Sequence, residues 1–531
     1  MQNLNPLDIA TFIAYFVIVT FIGFYAGRRQ KESARDYFVT AGRLPWYLIA
    51  FGMLASSIST EQFIGSAGFT YKYGLPVFNW ELGNWPAMLI LLWIFLPIYL
   101  NRKIVTMPSY LEQRFGPGPR NLYAIITILA AVFIILPGVI YTGGFLLQEM
   151  FGLNILIGIA LMAIVGGTFT IYGGLISVAW TQLFQSALLL ASGLLIFILA
   201  VTKIDGGFWS ILLPQGVDPA RTHLILPASH PELPWTAILA IVIPVNIWYF
   251  CTAQYIVEST LGARTRWDGK MGIIVLGFLM ICTALSVEFP GLVAYVLNPG
   301  LEKPDQAYPF VVKQLVPVGL KGLVMAGLCA AVMSTIQALM HSSSAIFTMD
   351  IYRRYRANVS ETNLVKVGRI TSAAVLVIGT LWSPVVSKFP TIFQFFQNCW
   401  SMIAGPVAAV FILGVLWKRA TGKAAFWTLI GCFPLFFLPY IIPRIETAYN
   451  TSINEFNVAG VIFIIMLVFM VVLSLATPPP RPEQIEGLVW RPSMMRLPAE
   501  ELALGYPWYK NLWLWCFIWV ALMLFIYAKF W

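Results

Sequence analysis

The chain has 531 residues, of which 59% are hydrophobic and 11% are charged. About a quarter of the residues in a soluble domain are charged, so the composition excludes an ordinary soluble protein and indicates repeated passage through a bilayer. The net charge of +10 is compatible with nucleic-acid binding only if the basic residues form a suitable surface. The three histidines show no triad or metal-ligand spacing with nearby residues, so an enzyme is not supported.

Apolar segments recur from one end of the chain to the other. The N-terminus lacks a basic region and a small-residue cleavage site, so we expect the first segment to be a retained helix. Most segments reach the roughly 20 residues that a spanning helix needs. We count fourteen, at about 7–27, 46–70, 76–100, 121–147, 153–172, 177–201, 236–257, 271–297, 320–349, 367–386, 391–417, 424–442, 456–476 and 509–530.

The basic residues follow the alternation of the connecting loops. When alternate loops are assigned to opposite sides, 24 of the 33 lysines and arginines fall on one side. The positive-inside rule makes that side cytoplasmic and both termini extracytoplasmic. The positive charge therefore reflects topology, and no nucleic-acid role is indicated. We predict a multi-pass protein of the cell inner or plasma membrane, with the lipid bilayer as its surroundings and no obligatory protein partner evident.

The second apolar segment is interrupted by a polar stretch, residues 55–62. A backbone that leaves the helix inside hydrocarbon exposes polar groups that cost several kcal/mol each if unpaired. Broken helices that carry polar residues form substrate and ion sites in secondary transporters. The alternative is a helix that is merely kinked against its neighbours.

Segments two to six and seven to eleven form two sets of five, which we assign to residues 46–201 and 236–417. Because each set contains an odd number of helices, the second set enters the membrane from the opposite side. The first helix of the second set carries a matching interruption at Pro244, Asn246 and residues 251–254. Corresponding breaks in two halves indicate an inverted-repeat transporter. Residues 202–235 are predicted to be an external loop.

A hydroxyl pair lies in the middle of the ninth segment. Ser334 and Thr335 follow Ala331 by three and four residues, so all three share a helix face. Hydroxyl oxygens together with the free carbonyls of Ala55 and Ile58 would suit a monovalent cation, because the set contains no carboxylate. The alternative is that both hydroxyls only bond back to the preceding turn of their own helix.

Several motifs resemble one family. Four motifs are similar to those of the sodium/solute symporter family: residues 59–65 (STEQFIG), 171–175 (IYGGL), 179–181 (AWT) and 346–352 (IFTMDIY). Within that family the chain resembles the sodium/glucose cotransporters, particularly the bacterial sodium–galactose type. The resemblance covers essentially the whole chain. It implies a LeuT-like 5+5 inverted repeat with alternating access. It also implies an extra N-terminal helix with a cytoplasmic loop (1–45) and additional C-terminal helices (418–531) that include a cytoplasmic linker (477–508).

The resemblance assigns roles to individual positions. It implies sodium ligation by the carbonyls of Ala55, Ile58 and Ala331 and the hydroxyls of Ser334 and Thr335. It implies sugar contacts, an inner gate and an outer gate at these positions: Gln62, Glu81, Asn84, Asn246, Gln394 and Gln397 for the sugar, Tyr249 for the inner gate, and Trp80 and Phe393 for the outer gate. Amide and carboxylate groups suit the many hydroxyls of a polyol.

Three positions depart from the family pattern. A lysine and an asparagine that serve the sugar site in relatives align with Met280 and Ile135, which puts the identity of the sugar in doubt. An aspartate that some relatives use for a second sodium aligns with Gln182, so we expect one sodium per solute. Glu288 is an intramembrane acid that the motif does not explain. It is either part of a structural pair or a lining residue of the outer vestibule.

The leading hypothesis is therefore sodium-driven uptake of a sugar such as galactose or glucose. One alternative is a sodium symporter for another small solute, such as an inositol, an organic acid or an amino acid. The carried-over positions contain no cationic partner for a carboxylate solute, and Glu81 would repel one. Another alternative is a substrate-gated sensor or channel with the same fold.

Overall fold

The apolar segments form helices, because in hydrocarbon every backbone polar group must be paired within the chain. The computed structural model describes residues 5–28, 33, 37–38, 42–59, 61–214, 216–356, 358–389, 392–435, 437–449, 453–503 and 505–531. Within these ranges there is no β-strand. Ten of the described helices are long and apolar enough to cross a bilayer, and three shorter apolar helices accompany them. The number of about 14 spans stays a prediction.

The first part of the chain begins with the N-terminal helix and the broken helix. Its helices are α1 (Pro6–Gly27), α2 (Trp46–Ser57), α3 (Ala67–Tyr73), α4 (Leu75–Asn101), α5 (Met107–Phe115), α6 (Pro117–Phe151) and α7 (Ile155–Lys203). The helix α7 covers two predicted segments and changes direction at Gly174, whose φ of 58° and ψ of −162° are not helical. A positive φ favours glycine, so the predicted gap between segments coincides with a residue that allows the turn.

The rest of the chain contains the second broken helix and the C-terminal helices. These are α8 (Trp235–Thr252), α9 (Gln254–Leu261), α10 (Arg266–Leu297), α11 (Lys321–Tyr355), α12 (Glu361–Lys388), α13 (Ile392–Leu416), α14 (Gly422–Ile430), α15 (Leu438–Tyr449), α16 (Glu455–Ala476) and α17 (Leu512–Lys529). Shorter helices lie in the connections, at Gly207–Leu212, Ala307–Leu315, Cys432–Leu435 and Ala499–Leu502.

The helices of the two predicted repeats pack against each other rather than forming separate bodies. The most extensive contact is between α7 and α11, and α1 lies against both of them. The helix α2 packs between α7 and α10. The helix α11 is buried over almost its whole length, whereas α1, α16 and α17 expose large apolar side chains. The first broken helix therefore lies in the interior of the bundle.

The loops meet in two groups at opposite ends of the bundle, as the alternating assignment requires. At one end the guanidinium of Arg114 donates to the carbonyls of Gly414 and Trp417, both at 2.9 Å. At the other end Lys203 donates to the carbonyl of Leu315 at 2.8 Å, and the amide of Leu224 donates to the carbonyl of Phe530 at 2.7 Å. These contacts join predicted cytoplasmic loops to one another and predicted external loops to one another.

The segment 477–508, which we predicted to be a linker, is docked onto the protein. The carboxylate of Glu501 accepts from the backbone amides of Arg266 and Trp267 at 2.9 and 3.0 Å, and so caps the first turn of α10. The amide of Trp490 donates to the carbonyl of Val415, and its indole donates to the carbonyl of Trp93, both at 2.8 Å. The segment therefore joins α4, α10 and α13.

Candidate functional site

The predicted interruption of the first broken helix is present. The helix α2 ends at Ser57, Ile58 is extended with φ −117° and ψ 120°, and the helix resumes beyond Thr60, which lies outside the described residues. The side chain of Gln62 satisfies part of the open backbone. Its carbonyl oxygen accepts from the amide of Ser59 at 2.7 Å, and its amide donates to the carbonyl of Ser57 at 2.9 Å.

The second break is narrower than predicted. The chain leaves the helical conformation only at Ala253, which has a ψ of 115°. Pro244 lies inside a widened π turn (Ile241–Val245), and Asn246 remains helical, so the prediction of a break at these two residues was wrong. A π turn absorbs the missing proline amide without the chain leaving the helix. The freed carbonyl of Thr252 accepts from the Tyr123 hydroxyl at 2.8 Å.

The five predicted cation-ligating groups lie together. The Ser334 hydroxyl is 2.8 Å from the Ala55 carbonyl oxygen and 3.0 Å from that of Ala331. The Thr335 hydroxyl is 3.5 Å from the Ile58 carbonyl oxygen and 3.1 Å from that of Ala331. We call these five oxygens the oxygen cluster. Both hydroxyls do bond back to their own helix, as the alternative required, but they also face the carbonyls of the broken segment.

Gln182 lies beside the oxygen cluster and donates to two oxygens next to it. Its side-chain nitrogen is 3.0 Å from the Ser56 hydroxyl and 3.4 Å from the Ser334 carbonyl oxygen. The amide of Gln182 therefore donates to these two oxygens. A carboxylate at this position could not donate to them and would leave both oxygens available to a cation. The neighbouring Thr181 hydroxyl donates to Gln337, also within the bundle.

A cavity adjoins the first break, and most of the predicted sugar-contacting residues line it. Its volume is about 50 Å³, below the usual range for small-molecule sites. We call it the central cavity. The predicted residues among its lining are Gln62, Trp80, Glu81, Asn84, Asn246 and Tyr249, and the others are Ser57, Glu61, Ser66, Ile241, Val245, Phe250, Phe396 and Trp400. The side chains of Phe393, Gln394 and Gln397 lie outside those that the structure describes.

The amides of the central cavity are partly held by backbone groups. Asn84 donates to the Trp80 carbonyl at 2.9 Å, and Asn246 donates to the Gly83 carbonyl at 3.3 Å. Each of these amides is therefore oriented by the fold and keeps its carbonyl oxygen as an acceptor. Gln62 is held at both ends of its amide by the helix break, so any contact that it makes with a solute also acts on the break.

Tyr249 connects the two broken helices. Its hydroxyl donates to the Ser57 carbonyl at 2.9 Å, at the end of α2. Its ring centroid lies 5.5 Å from that of Trp400 and 5.9 Å from that of Tyr255. Tyr249 and Trp400 form one wall of the central cavity. Trp80 contributes to another wall and packs against Phe69 and Phe456, each at 5.5 Å between ring centroids.

Two of the three positions that depart from the family pattern, Met280 and Ile135, lie in different places. Met280 lines a small space beside Glu81 that also contacts Trp519 and Met523 of α17. Ile135 does not line the central cavity but lies in a separate space with Trp248 and Tyr255. The substitution at Met280 therefore changes the surroundings of a cavity residue directly, whereas the one at Ile135 changes a neighbouring space.

Two buried acids were not predicted to belong to the site. Glu61 lines the central cavity and is 7% exposed. Its position inside the family motif was the signal that could have identified it. Glu288 is fully buried, and within the described part of the chain neither of its carboxylate oxygens has a hydrogen-bond partner. The structural pair that we considered for Glu288 is therefore not found among the described residues.

Two broken helices, a shared polar cavity and an adjoining oxygen cluster define an ion-coupled membrane transporter. The chain belongs to the sodium:solute symporter family, whose model matches residues 37–432. It is 31% identical over 507 residues to the sodium/glucose cotransporter of Vibrio parahaemolyticus, covering 87% of this chain and 93% of that protein. It is 30% identical over 536 residues to the human sodium/myo-inositol cotransporter 2, covering 92% and 79%.

Solved structures share the fold. A Na⁺-coupled sialic acid symporter superposes with a TM-score of 0.76 at 21% identity, covering 90% of this chain and all of that one. A nucleobase–cation symporter superposes with a TM-score of 0.57 at 16% identity, covering 85% and 97%. The predicted family, LeuT-like fold and coupling ion are confirmed. The protein is a multi-pass, sodium-coupled solute transporter and not an enzyme.

Proposed function

We propose that the protein couples the inward movement of one sodium ion to the uptake of a polyhydroxylated solute, a sugar such as galactose or glucose or a cyclitol, by alternating access. The observation that carries the proposal is the hydrogen bonding of Ser334 to the Ala55 carbonyl at the helix break that lines the central cavity. An ion bound at this point and a solute in the cavity would act on the same piece of backbone.

The oxygen cluster is the proposed sodium site. It offers three carbonyl and two hydroxyl oxygens from two helices, and no carboxylate. Hard cations prefer oxygen ligands, and a neutral set suits a single positive charge. When the ion binds, each hydroxyl turns its proton away and offers a lone pair. The bound ion thus takes the place of the hydrogen bonds that join these hydroxyls to the carbonyls in this structure.

The proposed solute follows from the donors and acceptors of the central cavity. A polyol presents hydroxyls that both donate and accept, and the cavity offers carboxylate and amide oxygens beside aromatic rings on which a sugar face packs. Glu61 and Glu81 oppose a carboxylate solute. The names of the relatives, sodium/glucose and sodium/myo-inositol cotransporters, agree with this class.

The remaining assignments complete the proposal. Residues 46–201 and 236–417 would be the two repeats, with Tyr249 as the inner gate and Trp80 and Phe393 as the outer gate. Gln394 and Gln397 would contact the solute together with the described residues. The end of the bundle that holds Arg114 would face the cytoplasm, so both termini would be extracytoplasmic and the protein would lie in the cell inner or plasma membrane.

One sodium ion is enough to drive accumulation. A tenfold sodium gradient contributes ~1.4 kcal/mol, and one charge crossing ~100 mV contributes ~2.3 kcal/mol. The sum sustains roughly 500-fold accumulation of the solute. The donor amide of Gln182 supports a single ion, because it contacts oxygens next to the cluster in the way that a second cation would.

The test is uptake into proteoliposomes that contain the purified protein. Labelled galactose, glucose and myo-inositol would be followed with an inward sodium gradient and with potassium in its place. Accumulation above equilibrium in sodium alone supports the proposal. Sodium current without accumulation would indicate a sensor or channel, and accumulation of an amino acid or organic acid in a competition panel would indicate another solute class.

A further inference from the structure

Two acidic side chains line the central cavity. Glu61 and Glu81 both line it and are 7% and 5% exposed. Among the described side chains that line it there is no lysine, arginine or histidine. The five oxygens of the proposed sodium site are other atoms, so a sodium ion bound there would not ligate either carboxylate.

A third acid lies near these two. Glu288 is fully buried at the junction within α10, in the neighbourhood of Glu81. In the described part of the chain, one oxygen of Glu61 and both oxygens of Glu288 have no hydrogen-bond partner. Glu61, which lines the cavity, therefore has an oxygen without a partner among the described residues.

No basic side chain replaces the lysine that relatives carry. Its position is Met280, which lies beside Glu81, and the rest of that small space is filled by apolar groups of α4, α10 and α17. Gly277 lets the Trp519 indole of α17 pack directly on α10 there. Inside a membrane a buried acid is either protonated or paired with a cation. The described side chains that line the cavity supply no cation, so a paired state needs one from a bound ligand.

We propose that the transported solute itself carries the positive charge, as a protonated amine on a polyhydroxylated ring, that is, an amino sugar or an amino cyclitol. This inference rests on the function proposed above and narrows its solute class. The ammonium group binds between Glu61 and Glu81, and the aromatic rings of Trp80 and Tyr249 at the same cavity provide cation–π contacts. The hydroxyls of the ring bind Asn84 and Asn246.

The experiment compares matched solutes in proteoliposomes under a sodium gradient. The sugars are glucose, glucosamine and N-acetylglucosamine, and the cyclitols are myo-inositol and a monoamino-inositol. We expect kcat/KM for each amine to exceed that of its hydroxyl form by about tenfold or more, as charge-assisted bonds require. N-acetylation, which removes the charge but adds bulk, abolishes the advantage.

Three results overturn the inference, and they are distinguishable. Sodium-driven uptake that is equal for the neutral and amine forms overturns the inference but leaves the proposed function intact. Uptake of neutral solute accompanied by proton influx shows that protons, not a solute amine, balance the carboxylates. No sodium-driven uptake of any of the five compounds overturns the proposed function and the inference with it.

Variants at Met280 and Glu61 test the same point within the protein. Met280→Lys supplies an internal ammonium beside Glu81, so we expect the ratio of amine to neutral uptake to fall by about tenfold. Met280→Leu changes shape without charge and separates the two effects. Sodium-dependent thermal stability in detergent shows whether Met280→Lys folds. If it does not fold, Glu61→Gln takes its place, and this variant should lower the same ratio. An unchanged ratio in both Met280→Lys and Glu61→Gln contradicts the inference.

Discussion

The hydroxyl of Ser334 donates to the carbonyl oxygen of Ala55 at 2.8 Å, across the interface between α11 and the first broken helix. In an unbroken helix the amide of Ser59 would occupy that carbonyl. Here the amide of Ser59 donates to the side chain of Gln62 instead. The break thus leaves the Ala55 carbonyl available to the oxygen cluster. The Ser59 amide, which that carbonyl would otherwise accept from, holds the cavity residue Gln62 instead. This arrangement links the proposed sodium site to the central cavity through a few atoms.

Loss of both hydroxyls of the cluster should abolish coupling. The variant Ser334→Ala with Thr335→Ala removes two of five proposed ligands, so we expect sodium-dependent uptake to fall about tenfold or more while the protein still reaches the membrane. The control is Ser343→Ala with Ser344→Ala. These two hydroxyls lie on the same helix, are buried and have no hydrogen-bond partner in the described structure. Equal uptake by the two double variants would place the cation elsewhere.

Gln182 should determine the sodium stoichiometry. Replacing it by Asp exchanges a donor amide for a carboxylate next to the Ser56 hydroxyl and the Ser334 carbonyl, which favours an additional cation. We expect the ratio of labelled sodium to solute to rise from one towards two. Gln182→Asn, which keeps the amide, should keep the ratio of the parent protein. A ratio of two in the parent protein would refute the single-sodium proposal.

The close packing of α17 on α10 should contribute to stability. A Cβ at Gly277 would overlap the Trp519 indole, which is 1% exposed. Gly277→Ala should therefore destabilise the protein by about 1–3 kcal/mol through overpacking, measured as thermal unfolding in detergent. At Gly118 an added Cβ would lie 3.4 Å from the Phe426 ring, an ordinary contact. If Gly118→Ala costs as much stability as Gly277→Ala, the close approach has no special role.

External acid should slow transport through Asp305. This residue lies in the turn Pro304–Gln306, which packs on α3: a Cβ at Gly68 would lie 2.8 Å from the Pro304 carbonyl oxygen. Burial raises the pKa of Asp305 to about 6, against the opposing effect of Lys303. The carboxyl group of Asp305 therefore binds a proton more tightly in the packed turn than it would in an exposed turn. Its stability is greatest at low pH and declines as pH rises through about 6.

Acidification from pH 7.5 to 5.5 on the external side should thus favour the packed turn about fourfold and slow any step that lifts it. The measurement is sodium-driven uptake at fixed internal pH. Asp305→Asn cannot be charged, so its uptake should not change across this pH range. If the variant and the parent protein respond alike, another group is responsible for the pH dependence.

Much of the site could be predicted because it depends on local signals. The first break follows from a polar stretch in an apolar helix, and Ser334 and Thr335 follow from helical spacing relative to Ala331. The second break was located only in part. The predicted run 251–254 contains the observed break at Ala253, whereas Pro244 suggests an interruption that a π turn absorbs. Where a proline is accommodated depends on packing, which a single sequence does not display.

Contacts between distant parts of the chain could not be predicted in this way. Trp519 lies in the last helix and yet fills the space beside Glu81 and Met280. Glu501, in a segment that looked like a linker, caps α10. Glu61 and Glu288 stand in apolar segments of the sequence, but their proximity to Glu81 depends on how the first broken helix, α4 and α10 pack.

The most direct test of sodium-coupled uptake is the limiting accumulation ratio of the solute in proteoliposomes held at zero membrane potential. With a tenfold inward sodium gradient, coupling to one sodium predicts accumulation that levels off at about tenfold and follows the gradient when the gradient is changed. Accumulation that never exceeds equilibrium, while sodium still enters, would contradict coupled transport by this protein.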